Sequence, residues 1–447
     1  MRIEKHKLIT GIFLFSFWIC ATVPFILQEV TREYHGPEVA KLWTLGEVAV
    51  AILGLWTLKA RVDKVIILTL FTLSFLDTVI FNHISVLMWL NGVRLYFGFI
   101  FMLPILRYFW ENEGRRRYFV AKMDRLIYLY LVIQFPCMVI QCVRYGAYDN
   151  VSGSIGWMAS GVASTIIYLS SFYLMMRRWN RDLNYIENLR NNWVLIMLLI
   201  PTWLNETKVS FIYITLYFLL LVPIDRKFIK RLTIVLPVIA LILIGAAMLY
   251  KTMVGDQNQT ESYELADYLM GNDILLDVVE YAVENDVVEV NESDYARGLK
   301  FYLLPKIYDQ YPGSWLTGFG LGQIKGGNGM EQTEFAKRYF WLLQGTIMQW
   351  HITLLEMGIP GGILYIIFWI TAFRLWGKHK KSRNLNMSWM FGITTAIFSI
   401  YIPPFYIPPF YMQFLFMVFV CSRWNELPPY RHIPLLGTKQ IIFSRHD

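Results

Sequence analysis

The run LITGIFLFSFWICATVPFILQ, residues 8–28, holds 21 residues and no Asp, Glu, Lys or Arg. As a helix it rises roughly 32 Å at about 1.5 Å per residue. That matches a hydrocarbon core about 30 Å thick. Arg2, Lys5 and Lys7 precede it, as in a signal peptide. No small-residue cleavage site follows, and the run has the length of a full span, so it reads as a retained first helix. Blocks of the same kind recur at 41–58, 64–82, 84–106, 125–145, 155–176, 231–250 and 346–373. One such block is a buried helix or an anchor; a series separated by basic segments is a polytopic membrane protein.

The whole-chain figures agree. Of 447 residues 56% are hydrophobic and 17% charged, with a mean hydropathy of +0.41. Soluble domains carry about 25% charged residues, so the polar surface needed to face water all round is missing. Soluble enzymes, DNA-binding proteins, secreted disulfide scaffolds and disordered tails are excluded. The net charge of +8 needs no nucleic acid, because basic residues collect on the cytoplasmic side of membrane proteins. Cys20, Cys137, Cys142 and Cys421 all lie inside apolar blocks without CxxC spacing, which supports neither a zinc ribbon nor a disulfide framework.

Two longer stretches fold back on themselves. Residues 193–224 are apolar except for Asn205-Glu206-Thr207-Lys208, and both flanks are basic. A single helix of that length would reach roughly 48 Å, too long for one span, so the stretch reads as a hairpin with Lys208 at its tip. Residues 389–421 read the same way, with the tandem Ile402-Pro403-Pro404-Phe405-Tyr406 and Ile407-Pro408-Pro409-Phe410-Tyr411 ending the helices. The expected architecture is an all-α polytopic membrane protein of about twelve transmembrane helices. Helices 1–9 lie in 1–250, an external domain in 251–345, helices 10–12 in 346–422 and a cytoplasmic tail in 423–447. With both termini inside, 29 of the 41 Lys and Arg residues fall in inside segments, as the positive-inside rule asks. The 251–345 loop carries 7 basic and 15 acidic residues; long domains translocate regardless of charge. Within it, 261–290 has helical spacing, and 297–311 and 335–343 are expected as amphipathic helices on the membrane surface.

Three polar features lie at outer-face depth. Lys208 is at the tip of a hairpin whose arms span only roughly 23 Å, which sets it at lipid-phosphate level. It is either a phosphate-binding cation or a lysine that snorkels or pairs with Glu206. Arg297, in Ser293-Asp294-Tyr295-Ala296-Arg297, offers a guanidinium fork that suits phosphate oxygens, or is a solvated surface residue. Gly318-Phe319-Gly320-Leu321-Gly322 is a turn that fits neither a Rossmann fingerprint nor a P-loop. It is followed by His351, where the chain re-enters the membrane, and by Leu355-Glu356-Met357-Gly358-Ile359-Pro360-Gly361. No second His or Cys lies at ligand spacing, so no metal is expected; His351 is either structural or a general base. Deeper in the membrane, Asp77 and Arg94 on adjacent arms of the 64–106 hairpin are expected to pair or to line a cavity, and Glu47 sits in the second helix.

A late external loop bearing Arg, then Gly-x-Gly-x-Gly, then His followed by Leu-x-x-Gly-Ile-Pro-Gly, on a twelve-helix layout, resembles the O-antigen ligase and O-antigen polymerase family of bacterial envelope polysaccharide assembly. The segment Asn205-Glu206-Thr207-Lys208-Val209-Ser210 is similar to that family's Thr-x-Ser-Arg segment, with Lys208 where Arg is usual; Ile352 follows His351 where Asn or Ser is common. The resemblance implies an inner-membrane, metal- and cofactor-independent, inverting glycosyltransferase. Its donor is a glycan on polyprenyl pyrophosphate, and its acceptor is a glycan or lipid hydroxyl. Lys208 and Arg297 would hold the pyrophosphate, and His351 would accept the acceptor's proton. Repeat-unit polymerisation and ligation to a lipid or protein acceptor both fit, in company with other polysaccharide assembly proteins. A transporter or flippase would use Asp77, Arg94 and Glu47 as coupling groups, but the sequence lacks the two-fold internal symmetry common in such folds. A scaffold leaves the membrane-level cations unexplained.

Overall fold

A computed structural model describes residues 4–33, 35–147, 151–156, 159–180, 182–205, 209–222, 297–322, 349–374, 382–400, 404–428 and 430, with a few positions in 237–244. The described residues form an all-α membrane protein with no strand among them. Among the described residues six helical rods are long and apolar enough to cross a membrane: Lys5–Thr31, Gly36–Thr57, Arg61–Phe81, Val86–Trp110, Glu113–Tyr145 and Trp350–Ile367. The four cysteines are free and buried.

The rods begin with α1 (Lys5–Thr31) and α2 (Gly36–Thr57), with Pro37 in the first turn of α2. Next, α3 (Arg61–Phe75) continues through a π turn at Leu76–Phe81. His83 takes a left-handed φ of 52°, and the Ser85 hydroxyl caps α4 (Val86–Phe97) by accepting from Met88 N. The hairpin so formed is closed by the Trp89 indole donating to Ser74 Oγ at 3.1 Å. A 3₁₀ turn at Gly98–Phe101 joins α4 to α5 (Met102–Trp110).

One difference from the apolar pattern concerns α6. The apolar block begins at residue 125, yet the helix runs from Glu113 to Tyr145. Asn112 caps it, accepting from Arg115 N at 3.1 Å, and Arg117 pairs with Glu113 one turn on. Capping and i,i+4 pairing extend a helix into water without apolar residues, so the basic segment 113–125 is helical rather than a loop.

At the centre lies α7 (Ser160–Arg178), buried along Ser160 to Met176. Around it stand α8 (Tyr185–Asn191), α9 (Trp193–Met197) and α10 (Val209–Leu220). The 193–224 stretch does turn back. Ser210 Oγ donates to Thr202 O across the turn at 3.3 Å, and Asn205 Nδ2 bonds Ser164 Oγ at 2.7 Å and Ser160 O at 3.3 Å. The reversal is therefore buried against the start of α7.

After α11 (Arg297–Gln310) and the single turn α12 (Ser314–Thr317) come α13 (Gln349–Arg374), α14 (Ser382–Ile400) and α15 (Pro408–Ser422). The two proline pairs act differently. Pro404 of the first begins a 3₁₀ turn, Pro404–Tyr406; the second opens α15, with Pro in its first turn. Proline at N1 removes an N–H that has no helical partner anyway. This tip stops inside the bundle, with the Phe405 ring tilted against Phe99, centroids 4.8 Å apart, in the 3₁₀ break of the α4–α5 rod.

Ionic contacts gather at one end of the bundle. Arg107 pairs with Asp63 at 2.9 Å, Arg116 with Glu426 at 3.1 Å and Arg177 with Asp124 at 2.9 Å. Arg177 also donates to Pro428 O at 3.1 Å, tying residues after α15 to the end where α1 begins. At the opposite end Arg144 pairs with Glu29, and Gln134 and Gln141 bond the 153–154 turn. The main core spans most of the bundle. A second, separate core is built from Trp89, Val93, Tyr96, Leu304, Ile307, Phe319, Leu321, Ile352, Leu355 and Met357. Of the expected 251–345 domain, 251–296 and 323–345, including the 261–290 and 335–343 segments, lie outside the described residues.

Candidate functional site

The second core exists because α13 is broken. Gly358 sits at φ 61°, ψ −166°, a non-helical conformation inside the helix. Two residues on, Pro360 has no N–H to give to Glu356 O, its partner four residues back. The carbonyl of Glu356 is thereby left without its helical donor inside an apolar helix, where it needs another.

The segment 297–322 brings donors to this carbonyl and to the two before it. Tyr308 Oη donates to Leu354 O at 2.7 Å, Phe319 N to Leu355 O at 2.8 Å and Gly320 N to Glu356 O at 2.9 Å. The next two amides are used as well: Leu321 N donates to Thr78 Oγ1 at 2.9 Å and Gly322 N to Glu356 Oε1 at 3.1 Å. Thr78 lies in the π turn of the Arg61–Phe81 rod, a distortion that often marks functional positions. Burial raises the Tyr308 phenol pKa, which keeps the hydroxyl a donor.

Glycine is required where the two backbones meet. Gly318, Gly320 and Gly322 all have positive φ. A Cβ on Gly318 would meet Glu356 O at 2.5 Å, and one on Gly358 would meet Trp315 O at 2.7 Å. The closeness gives an expected result. Gly318→Ala adds a left-handed penalty of about 1–2 kcal/mol and a backbone clash, whereas Gly313→Ala, also at positive φ but with nothing within 4 Å of its Cβ, adds only the penalty. Hydrogen exchange at the amides of 319–322 should rise in the first variant and stay unchanged in the second.

His351 is buried, at 2% exposure, one helical turn before Leu355. Thr353 and Glu356 are buried beside it in sequence. Arg297 is the first residue of α11. Of residues 297–311, expected as an amphipathic helix, Leu304 and Ile307 of α11 pack into the second core against protein, next to the Tyr308 bond to Leu354 O. The structure thus unites three features separated in sequence: the helix that Arg297 opens, the Gly318–Gly320–Gly322 loop and the His351 helix. Lys208 lies outside the described residues, although its neighbour Asn205 is held against α7.

The expected Asp77–Arg94 pair does not form. Arg94 turns instead to α2, pairing with Glu47 at 2.5 Å and donating to Thr44 Oγ1, and it reaches Asn91 Oδ1 at 2.6 Å on its own helix. Asp77 is held locally, accepting from Asn82 Nδ2 at 3.4 Å. The reason is the π turn, which closes Asp77 onto Asn82, while Glu47, at 2% exposure, has no water to replace Arg94. Sequence reading passed over Glu356, Thr78 and Tyr308. The signal for Glu356 was present: Gly-Ile-Pro within an apolar block announces a broken helix and carbonyls in want of donors.

No protein-family model and no curated protein matches this chain.

Proposed function

We propose that the chain is a membrane glycosyltransferase that moves a glycan from a polyprenyl pyrophosphate donor to an acceptor hydroxyl, polymerising repeat units of a bacterial surface polysaccharide. The observation that carries the proposal is the bonding of the 318–322 loop to the broken helix of His351, in contact with the helix that Arg297 opens. Such a unit holds polar groups of the outer segment against the membrane, where the lipid-borne bond of the donor lies. In the reaction the acceptor oxygen attacks the anomeric carbon and its proton passes to His351. The bond from that carbon to the phosphate oxygen breaks, and the pyrophosphate leaves with the electron pair and is stabilised by Lys208 and Arg297. A single displacement inverts the anomeric configuration.

The proposal includes twelve spans, the inner membrane, both termini in the cytoplasm and residues 251–345 outside. Ligation of the glycan to a lipid or protein acceptor uses the same chemistry with another hydroxyl. The test is reconstitution of the purified protein in liposomes with a polyprenyl-pyrophosphate oligosaccharide. The expected result is free polyprenyl pyrophosphate and longer glycans of inverted linkage. Transbilayer movement of the lipid with no new glycosidic bond would replace this reading with that of a flippase.

A further inference from the structure

At the basic end of the bundle three cations from three separate segments converge on one aromatic ring. Arg115, from the first turn of α6, has its Cζ 4.5 Å from the centroid of Tyr108. Lys5, at the start of α1, has its Nζ 5.6 Å from the same centroid, and Lys59, in the turn between α2 and α3, lies 6.0 Å away. Lys5 also lies 5.0 Å from the ring of Trp56 and donates to Trp56 O at 3.3 Å.

Their neighbours are treated differently. Arg107 and Arg116 each have a carboxylate within 3.1 Å, and Arg117 is paired with Glu113. Among the described residues Lys5 and Lys59 have no ion pair, and Arg115 has only Glu111 at 3.8 Å. Two further cations beside one ring repel one another, and the ring's quadrupole offsets only part of that. An anion bridging them would remove the repulsion.

The flank beside this cluster is apolar and uncovered. Ile52, Leu55 and Trp56 at the end of α2 and Val62, Val65 and Leu68 at the start of α3 are all exposed, Leu68 by 68%. They run from the three cations along helices that cross the membrane, so a ligand here has a charged head at the cations and an apolar body on the helices.

We propose that Lys5, Lys59 and Arg115 form a binding site for the phosphate of an anionic phospholipid, whose acyl chains lie along the exposed faces of α2 and α3. Tyr108 and Trp56 set the floor of the site and hold the cations in place. The site is at the end of the bundle opposite the 318–322 loop and does not depend on the glycosyl-transfer reading.

The experiment is native mass spectrometry of the full chain released from detergent after titration with phosphatidylglycerol, with phosphatidylcholine or with inorganic phosphate. The expected result is at least tenfold greater retention of phosphatidylglycerol than of phosphatidylcholine, undiminished by inorganic phosphate. Replacing the three cations together, Lys5→Gln, Lys59→Gln and Arg115→Gln, should abolish the preference. The control set Lys64→Gln, Lys122→Gln and Arg125→Gln removes the same charge from neighbouring surface and should keep it. Equal retention of the two phospholipids, displacement by inorganic phosphate, or equal loss in both sets of variants would each overturn the assignment.

Discussion

On the proposed glycosyltransferase reading, His351→Ala is expected to lower the rate of glycan transfer in the reconstituted protein by a factor of about 10²–10⁴, the range typical of a lost general base. The acceptor hydroxyl is a poor nucleophile until its proton has somewhere to go. On that reading the proton passes to His351, whose helix is held by the bonds that Tyr308, Phe319 and Gly320 make to the carbonyls following it. A base acts in the transition state rather than in donor binding. The variant should therefore show a lower kcat with little change in the KM for the lipid-linked donor. A structural role would give the opposite pattern, with loss of fold or of donor binding and no selective fall in kcat. Unchanged chain-length distribution and turnover in His351→Ala would remove the proposed base.

Arg94→Met destabilises the protein by about 3–5 kcal/mol, because it strands Glu47 as an uncompensated charge in a membrane helix. Glu47 is 2% exposed, so water cannot take the place of the guanidinium. Adding Glu47→Gln to the Arg94→Met background should recover most of the loss, since two neutral groups of similar shape no longer carry the desolvation penalty. Thermal unfolding in detergent reads both effects. A single variant as stable as the parent would show that the pair carries no structural weight. Asp77→Asn, by contrast, should leave the stability of Arg94 variants unaffected, as the two side chains have separate partners.

Helix positions were legible at long range because the bilayer imposes a length and an apolar composition on every span. The 64–106 hairpin, the reversal near Asn205 and the break at the proline tandem all follow from that one constraint. The helical start of α6 at Glu113 did not follow, because capping by Asn112 and pairing of Glu113 with Arg117 are short-range polar effects that hydropathy does not register. The Gly318–Gly320–Gly322 loop stood out as a motif, but its role did not: its partners are backbone carbonyls, which every residue carries and no residue name reveals.

Residue order alone settled that this chain lives in a membrane and that His351 stands near the start of a helix; the signal for acceptors left unserved at Gly358-Ile359-Pro360 was present but was passed over. Folding in three dimensions chose who serves them, and it chose Glu47 rather than Asp77 for Arg94. Both choices rest on contacts between segments tens to hundreds of residues apart. In a bilayer every buried polar group must find a partner within the protein, and which one it finds depends on how the helices pack side by side rather than on their order along the chain.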